Sequence, residues 1–231
     1  MREMGKVYGL IVSAGKETRF NGDKPKTLSL YNGKSFLDWN IESLSPHCDE
    51  VLVVVSNENK HWFKEYNTIV IDSGYGCGDA VMKALSSLNV EDNDECFVVW
   101  GDCLCRHAKA LQIFGRGDNI AILIPCTWES SPYVCLSESL DGGIKVSFSK
   151  YGEVFGAGYH DLGVFYGNAK LMHNKLKEFA QKITFNGGYR HKHGNEMQFL
   201  DIFNETDIKG AILPTRIKSI SFNSIEELNN L

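Results

Sequence analysis

Four cationic side chains, Lys16, Arg19, Lys24 and Lys26, fall within eleven consecutive residues. The chain around them is acidic, with 24 Lys+Arg against 29 Asp+Glu and a formal net charge of −5. A cationic cluster in such a chain is either a solvated loop or a local anion site. This one follows the apolar run 7–12 and opens on Ser13-Ala14-Gly15. Small residues there let backbone N–H groups come close to phosphate oxygens. Arginine adds a flat fork for phosphate, and lysine adds a point charge. Two common phosphate motifs do not fit. Gly33-Lys34-Ser35 has the ending of a Walker A motif, but Leu28 stands where its first glycine is needed. The loop after 7–12 is not G-x-G-x-x-G either.

A phosphate loop needs a strand to carry it, because open α/β sheets bind ligands beyond the C-terminal ends of their strands. Continuous apolar runs at 7–12, 51–55, 68–71, 96–100 and 120–124 read as buried parallel strands. Between them, Phe36, Leu37, Ile41 and Leu44 make one helical stripe, and Ala80, Val81, Ala84, Leu85 and Leu88 make another. Alternating strands and helices imply βαβ units with right-handed crossovers. The second half differs. Residues 144–148 alternate apolar and polar, 163–166 is a further strand, 169–183 reads as a helix, and 211–213 and 217–222 are late strands. Ser224 followed by Glu226 and Glu227 predicts a capped terminal helix. The expected class is α/β: a Rossmann-like, mixed but mainly parallel sheet flanked by helices. The expected organisation is one domain over 1–231, with a nucleotide-binding half at 1–126 and an acceptor-binding half at 127–231.

Composition narrows the function. Hydrophobic residues make up 43% and charged residues 23%, as in ordinary globular proteins. Net acidity argues against a nonspecific nucleic-acid partner, which requires clustered Lys and Arg to displace counterions. No apolar run approaches the roughly 18 residues of a membrane span. The run 7–12 is too short and too soon broken for a signal peptide. A cytoplasmic protein with no membrane partner is expected, and its oligomeric state is left open. The seven cysteines are irregularly spaced, and Cys103-x-Cys105 is not a C-x-x-C pair. They read as reduced, mostly buried thiols.

The run from 7 to 28 resembles the signature of the sugar-phosphate nucleotidylyltransferases: an apolar strand, A-G-x-G-T-R, a spacer, then P-K-x-L. Here the matching residues are Ala14-Gly15-Lys16-Glu17-Thr18-Arg19 and Pro25-Lys26-Thr27-Leu28. The nearest resemblance is to the uridylyltransferase domain of N-acetylglucosamine-1-phosphate uridylyltransferases. It continues at four later places. Gly76-Cys77-Gly78-Asp79-Ala80-Val81 is similar to the base-binding segment G-T-G-x-A-V. Trp100-Gly101-Asp102 is similar to the end of the metal-bearing strand. His160-Asp161-Leu162-Gly163-Val164-Phe165 is similar to the acceptor motif N-x-G-I-Y. Ser221-Phe222-Asn223-Ser224-Ile225-Glu226-Glu227-Leu228 is similar to the closing motif I-N-T-P-E-E-L.

The resemblance implies nucleotidyl transfer on a GT-A-like fold, with Mg²⁺ as cofactor. It assigns Arg19 and Lys26 to catalysis, and Ala14, Gly15, Gly76, Gly78 and Asp79 to nucleotide binding. It assigns Asp102 and Asn223 to the metal, and Asp161 and Lys150 to the acceptor. Apart from the resemblance, Arg190-His191-Lys192-His193-Gly194 is a second basic cluster in a loop entered by Gly187-Gly188; it is either a solvated loop or a clamp in which Arg190 holds the acceptor phosphate. The implied partners are a nucleoside triphosphate, CTP or UTP, and a small phosphorylated acceptor. A sugar-1-phosphate leads, and phosphocholine or a similar phosphorylated alcohol or amine is the alternative. Three departures stand out. Glu17 replaces the second loop glycine, Gly74 and Cys77 replace the Gln and Thr that read the base, and Phe148-Ser149-Lys150 replaces V-E-K. Glu17 keeps a second reading open, a catalytically silent nucleotide-binding relative. A glycosyltransferase ranks below both, because Asp102-Cys103-Leu104 is not D-x-D.

Overall fold

Four of the five apolar runs pair side by side as the parallel part of one sheet, whereas the strand holding the described part of 120–124 pairs antiparallel with two neighbours and parallel with one. The computed structural model describes residues 5–15, 20, 23–72, 74–114, 122–139, 143–154, 156–192, 194–216 and 220–230. Strands β1 (Val7–Ser13), β2 (Glu50–Ser56), β3 (Thr68–Ile71) and β4 (Glu95–Trp100) lie parallel in the order β3-β2-β1-β4. Parallel neighbours need long crossovers. Helices α1 (Phe36–Leu44) and α2 (Cys77–Leu88) occupy two of them. Each helix has local boundary signals. The Ser35 hydroxyl accepts from Asp38 N–H at 3.0 Å at the start of α1. Asn89, at φ 50°, ends α2 in the left-handed conformation.

The period-two alternation of the strands sorts their side chains onto two faces. Leu10, Val54 and Val98 face a layer containing Val81 and Leu85 of α2 and Met172 and Leu176 of α4 (Ala169–Ile183). Ile11, Val53 and Val99 face the other layer, with Leu37 and Leu44 of α1 and Leu111 of the helix Ala108–Phe114, here α3. Burial on both sides explains why these strands read as unbroken apolar runs.

The sheet then turns antiparallel. Strands β5 (Ile122–Glu129), β6 (Val134–Glu138), β7 (Ile144–Phe148), β8 (Gly158–Asp161), β9 (Val164–Asn168) and β10 (Gly210–Pro214) extend it in the order β4-β9-β5-β8-β6-β7, with β10 parallel to β5. Among the described residues this is one ten-stranded mixed sheet flanked by helices, of the Rossmann-like α/β class expected. Short helices α5 (Ile202–Glu205) and α6 (Ile225–Asn229) complete the elements used below.

Several details differ from the sequence reading. Strands β6 and β8 are additional, and β5 runs on to Glu129. Strand β8 has little apolar character of its own; it is paired to β5 on one side and β6 on the other, and neighbours of that kind override weak strand propensity. The described part of 217–222 is a single bridge between Ser221 and Cys103, not a strand. Gly33-Lys34-Ser35 belongs to a hairpin turned at Asn32-Gly33, both at positive φ, the conformation that an Asn-Gly turn favours. Gly187-Gly188, read as a loop entry, lies in a second such hairpin, Thr184–Phe185 with Gly188–Tyr189, turned at Asn186-Gly187. Among the described residues no helix is long and apolar enough to cross a membrane. All seven cysteines are free.

Candidate functional site

The register of the parallel strands brings the first site residues together. Strand β1 pairs with β4 from Val7↔Glu95 to Val12↔Trp100, so both strands end level. Gly101 N–H then donates to the Val12 carbonyl at 3.0 Å. A Cβ at Gly101 would stand 2.5 Å from Ser13 Oγ and 3.1 Å from Thr27 Oγ1. Only glycine permits this approach, which brings the loop after β1 against the turn after β4. Pro25 starts the short 3₁₀ turn Lys26–Leu28, and Lys26 reaches across to Asp102, Nζ to Oδ2 at 2.8 Å. Both side chains are mostly buried, with 13% and 26% exposure. The buried hydroxyls of Ser13 and Thr27, next to this pair in the chain or in space, have no hydrogen-bond partner among the described residues.

The C-terminal segment approaches the same turn. Leu104 N–H donates to the Ile220 carbonyl at 3.0 Å, and Cys103 bridges Ser221. Asn223 therefore lies on the segment neighbouring Asp102. It is exposed, and its N–H donates to Glu227 Oε2 at 2.6 Å. Ser224 Oγ accepts from Glu227 N–H at 3.2 Å, the cap expected for α6. Phe222 anchors the segment, with its ring 5.6 Å from Phe20 and 4.7 Å from Phe36. Phe222 was legible only as part of the closing motif; its packing role had no local signal.

Asp161 stands at the end of β8 and is 6% exposed. Its Oδ1 accepts from Gly163 N–H at 2.9 Å. Burial pushes its carboxyl up, against the pull of His160 and two backbone N–H groups. Gly163, at φ +71°, packs so tightly that a Cβ would lie 2.5 Å from Cys103 Sγ. Cys103 thus sits between the Asp102 and Asp161 turns. Burial first, then both carboxylates, hold its thiol well above the ordinary range, so it stays protonated and unreactive at neutral pH.

The second cluster forms around the segment after β3. Gly76, at φ +101°, precedes α2, and Gly78 lies in its first turn. Tyr75 and Gly78 pair with the backbone of Met197: Met197 N–H donates to the Tyr75 carbonyl at 2.7 Å, and Gly78 N–H donates to the Met197 carbonyl at 2.9 Å. A Cβ would stand 2.6 Å from Met197 O at Gly76 and 2.9 Å from it at Gly78. These glycines therefore admit a strap from the second half of the chain. Cys77 Sγ takes the Phe199 N–H at 3.3 Å and lies 3.6 Å from Gln198 Oε1. Asp79 is fully buried and receives Tyr75 N–H, Lys83 Nζ and the Tyr189 hydroxyl.

Gly76→Ala is expected to lower unfolding stability by more than about 2 kcal/mol in urea titration, since it combines positive φ with a backbone clash. Gly188→Ala has open space around the new methyl and should shift stability by less than about 0.5 kcal/mol. Equal effects at both positions would contradict the strap.

Lys150 lies in the turn Ser149–Tyr151. Its Nζ is 4.7 Å from the Tyr151 ring centroid. Burial works to lower its ammonium, but the Tyr151 hydroxyl, Tyr133 and Glu196 outweigh that and raise it. Arg190 follows the second hairpin, donates its N–H to the Ile183 carbonyl at 2.8 Å, and rests its guanidinium 5.3 Å from the Phe185 ring centroid. Ala14 is buried at the end of β1 and Gly15 is exposed. Arg19 and Glu17 lie outside the described residues, as does His193. Lys26 and Asp102 are thus brought together, with Asn223 on the adjoining segment. Gly76, Gly78 and Asp79 form a second group around the Met197 strap and Tyr189.

Residues 9–141, more than half of the chain, match the family model of the MobA-like NTP transferase domain. The chain belongs to this family of nucleotide transferases. The match spans the loop after β1, the 74–79 segment and the Asp102 turn. Among curated relatives, the 2-C-methyl-D-erythritol 4-phosphate cytidylyltransferase of Thermosipho africanus (strain TCF52B) is 42% identical over 53 residues, 23% of this chain and 24% of that protein. The bifunctional protein GlmU of Ruthia magnifica subsp. Calyptogena magnifica is 29% identical over 104 residues, 43% of this chain and 23% of that protein. The chain thus spans about a quarter of the length of these relatives. Among solved structures, a putative glucose-1-phosphate thymidylyltransferase from Bacillus anthracis superposes with a TM-score of 0.76 at 12% identity, covering 97% of this chain and 93% of that one. The CTP:phosphocholine cytidylyltransferase of Streptococcus pneumoniae superposes with a TM-score of 0.66 at 15% identity, covering 97% of both. At these identities the superpositions establish the fold. With the family model and the GlmU match they support the sugar-phosphate nucleotidylyltransferase resemblance.

Proposed function

We propose that the protein transfers a nucleoside monophosphate from a pyrimidine nucleoside triphosphate to a small phosphorylated acceptor. An acceptor phosphate oxygen attacks the α-phosphorus, the bond to the bridging oxygen breaks, and pyrophosphate leaves. The observation that carries this reading is the Lys26–Asp102 pair at the level ends of β1 and β4. A fixed cation and a carboxylate at adjacent strand ends suit a reaction whose charge builds on phosphate oxygens. The acceptor phosphate is already ionised, so no acid–base residue is required. Lys26 neutralises phosphate charge, Arg19 supports the triphosphate, and residues 74–79 take the base.

The donor set fits Mg²⁺. Asp102 and Asn223 offer hard oxygen ligands on neighbouring segments, and the Lys26 ammonium already marks a place where a cation is stabilised. Among the described residues there is no group of three or more His, Cys, Asp or Glu that could hold a metal. This accords with an ion that takes one or two protein oxygens and completes its shell with substrate phosphate and water. Bound there, Mg²⁺ would neutralise charge on the phosphates. A cytoplasmic location goes with this reading.

A sugar-1-phosphate is the leading acceptor, supported by the GlmU and thymidylyltransferase likenesses. The cytidylyltransferase relatives favour CTP over UTP. A phosphorylated amine such as phosphocholine is the second reading. Its support is the Lys150 ammonium resting on the Tyr151 ring, with Tyr133 and Glu196 close by; such a setting also suits a quaternary ammonium head group.

Pyrophosphate release tests these readings. The four nucleoside triphosphates are crossed, with Mg²⁺, against a panel of sugar-1-phosphates and phosphocholine. Release confined to a pyrimidine triphosphate with one acceptor is expected and names both substrates. Tight triphosphate binding with no release across the panel favours the silent relative that Glu17 suggests.

A further inference from the structure

The Asp79 carboxylate lies in the segment that takes the base, yet it is fully buried at the start of α2. A buried carboxylate is tolerable only with donors around it. Its Oδ2 accepts from Tyr75 N–H at 3.0 Å and Lys83 Nζ at 2.8 Å. Its Oδ1 accepts from the Tyr189 hydroxyl at 2.7 Å. Tyr189 comes from the second hairpin, 110 residues along the chain.

We infer that Tyr189 is a positioning residue for the nucleotide: through Asp79 its hydroxyl holds the 75–78 turn in the geometry that receives the base. The inference rests on the functional reading above. The turn is gripped from two sides. Met197 pairs with Tyr75 and Gly78 along one edge, and Asp79 holds Tyr75 N–H along the other. The Tyr75 ring, 47% exposed, meets the Tyr189 ring edge-on at 6.0 Å and carries Lys83 Nζ at 5.8 Å. Its direction is therefore also set by the Asp79 group. Burial and the Asp79 charge raise the Tyr189 phenol, so it is a donor throughout the physiological range. Losing that hydroxyl frees one oxygen of Asp79, lets the carboxylate turn, and loosens Tyr75 N–H.

The turn follows β3, two strands from β1 and its phosphate loop. Base affinity and phosphate chemistry should therefore separate. An interaction made equally in ground and transition states raises KM and leaves kcat unchanged when lost.

The test uses Tyr189→Phe in the full chain. Calorimetry with Mg²⁺ measures CTP, UTP and inorganic tripolyphosphate, which has the phosphates without the base. Initial rates of pyrophosphate release give the kinetic constants. Affinity for the accepted triphosphate is expected to fall about tenfold, while tripolyphosphate affinity, acceptor KM and kcat stay within about twofold. Asp79→Asn should add little when combined with Tyr189→Phe, because both act on one network. Unchanged triphosphate affinity overturns the inference, as does equal weakening of triphosphate and tripolyphosphate. If the unaltered protein neither binds triphosphates nor releases pyrophosphate, the functional reading fails and takes this inference with it.

Discussion

Asp102→Ala is expected to reduce pyrophosphate release by about 1,000-fold or more while the protein remains folded. The side chain lies on a turn beyond β4, outside both core layers. Its contacts are Lys26 Nζ at 2.8 Å and, more weakly, Cys103 Sγ at 3.7 Å. Loss of a partly exposed pair of this kind should lower stability by about 1–2 kcal/mol, short of unfolding a typical domain. The catalytic loss is larger, because removing one preorganised charged group facing a transferring phosphoryl typically costs on the order of 100- to 1,000-fold, and the proposed Mg²⁺ ligand goes with it. Asp102→Asn separates charge from shape. Its amide oxygen still accepts from Lys26, so stability should match the parent protein while release falls at least about 100-fold. Urea titration and the release assay on the same preparations give both quantities. Near-parental turnover in either variant removes Asp102 from the site.

Phe222→Ala should be the most damaging single core truncation near the site. Its ring is 1% exposed and sits between Phe20 and Phe36, with Tyr31, Leu104, Ile220 and Leu228 around it. Truncating a buried phenylalanine typically costs about 3–5 kcal/mol, from lost transfer energy and the cavity left behind. This cluster joins the loop after β1 to the segment that carries Asn223, so release should fall as well. Asn223→Ala is the comparison. Asn223 is exposed and its backbone N–H bond to Glu227 is unaffected by the side chain. It should lose turnover with stability within about 0.5 kcal/mol of the parent. A Phe222→Ala protein of normal activity, or an Asn223→Ala protein as unstable as Phe222→Ala, would show that the segment does not deliver Asn223 to the reaction.

The features legible in the sequence share one property: their causes lie within a few residues. Strands β1, β2, β3 and β4 are visible because burial on both faces demands unbroken apolar runs. Helices α1, α2 and α4 are visible because one buried stripe repeats every turn. Ser224 was legible as a cap because its Oγ bonds the N–H three residues on. The Asn186-Gly187 hairpin was legible too, since that dipeptide favours two positive φ angles, but the basic residues after it drew the reading toward a loop. Strand β8 was not legible, because its neighbours β5 and β6 supply its stability.

From its own residues the chain determined the apolar strands, the helical stripes and their caps, and the basic loop in an acidic protein, because spacing, small side chains and charge act locally. Its ordered motifs pointed further, to the family. Only the tertiary structure decided that Lys26 meets Asp102 across 76 positions, that Gly76 and Gly78 admit the backbone of Met197, and that Asp79 turns inward to Tyr189. Such contacts depend on strand order and on where crossovers return, and neither leaves a periodic mark on the residues that finally touch.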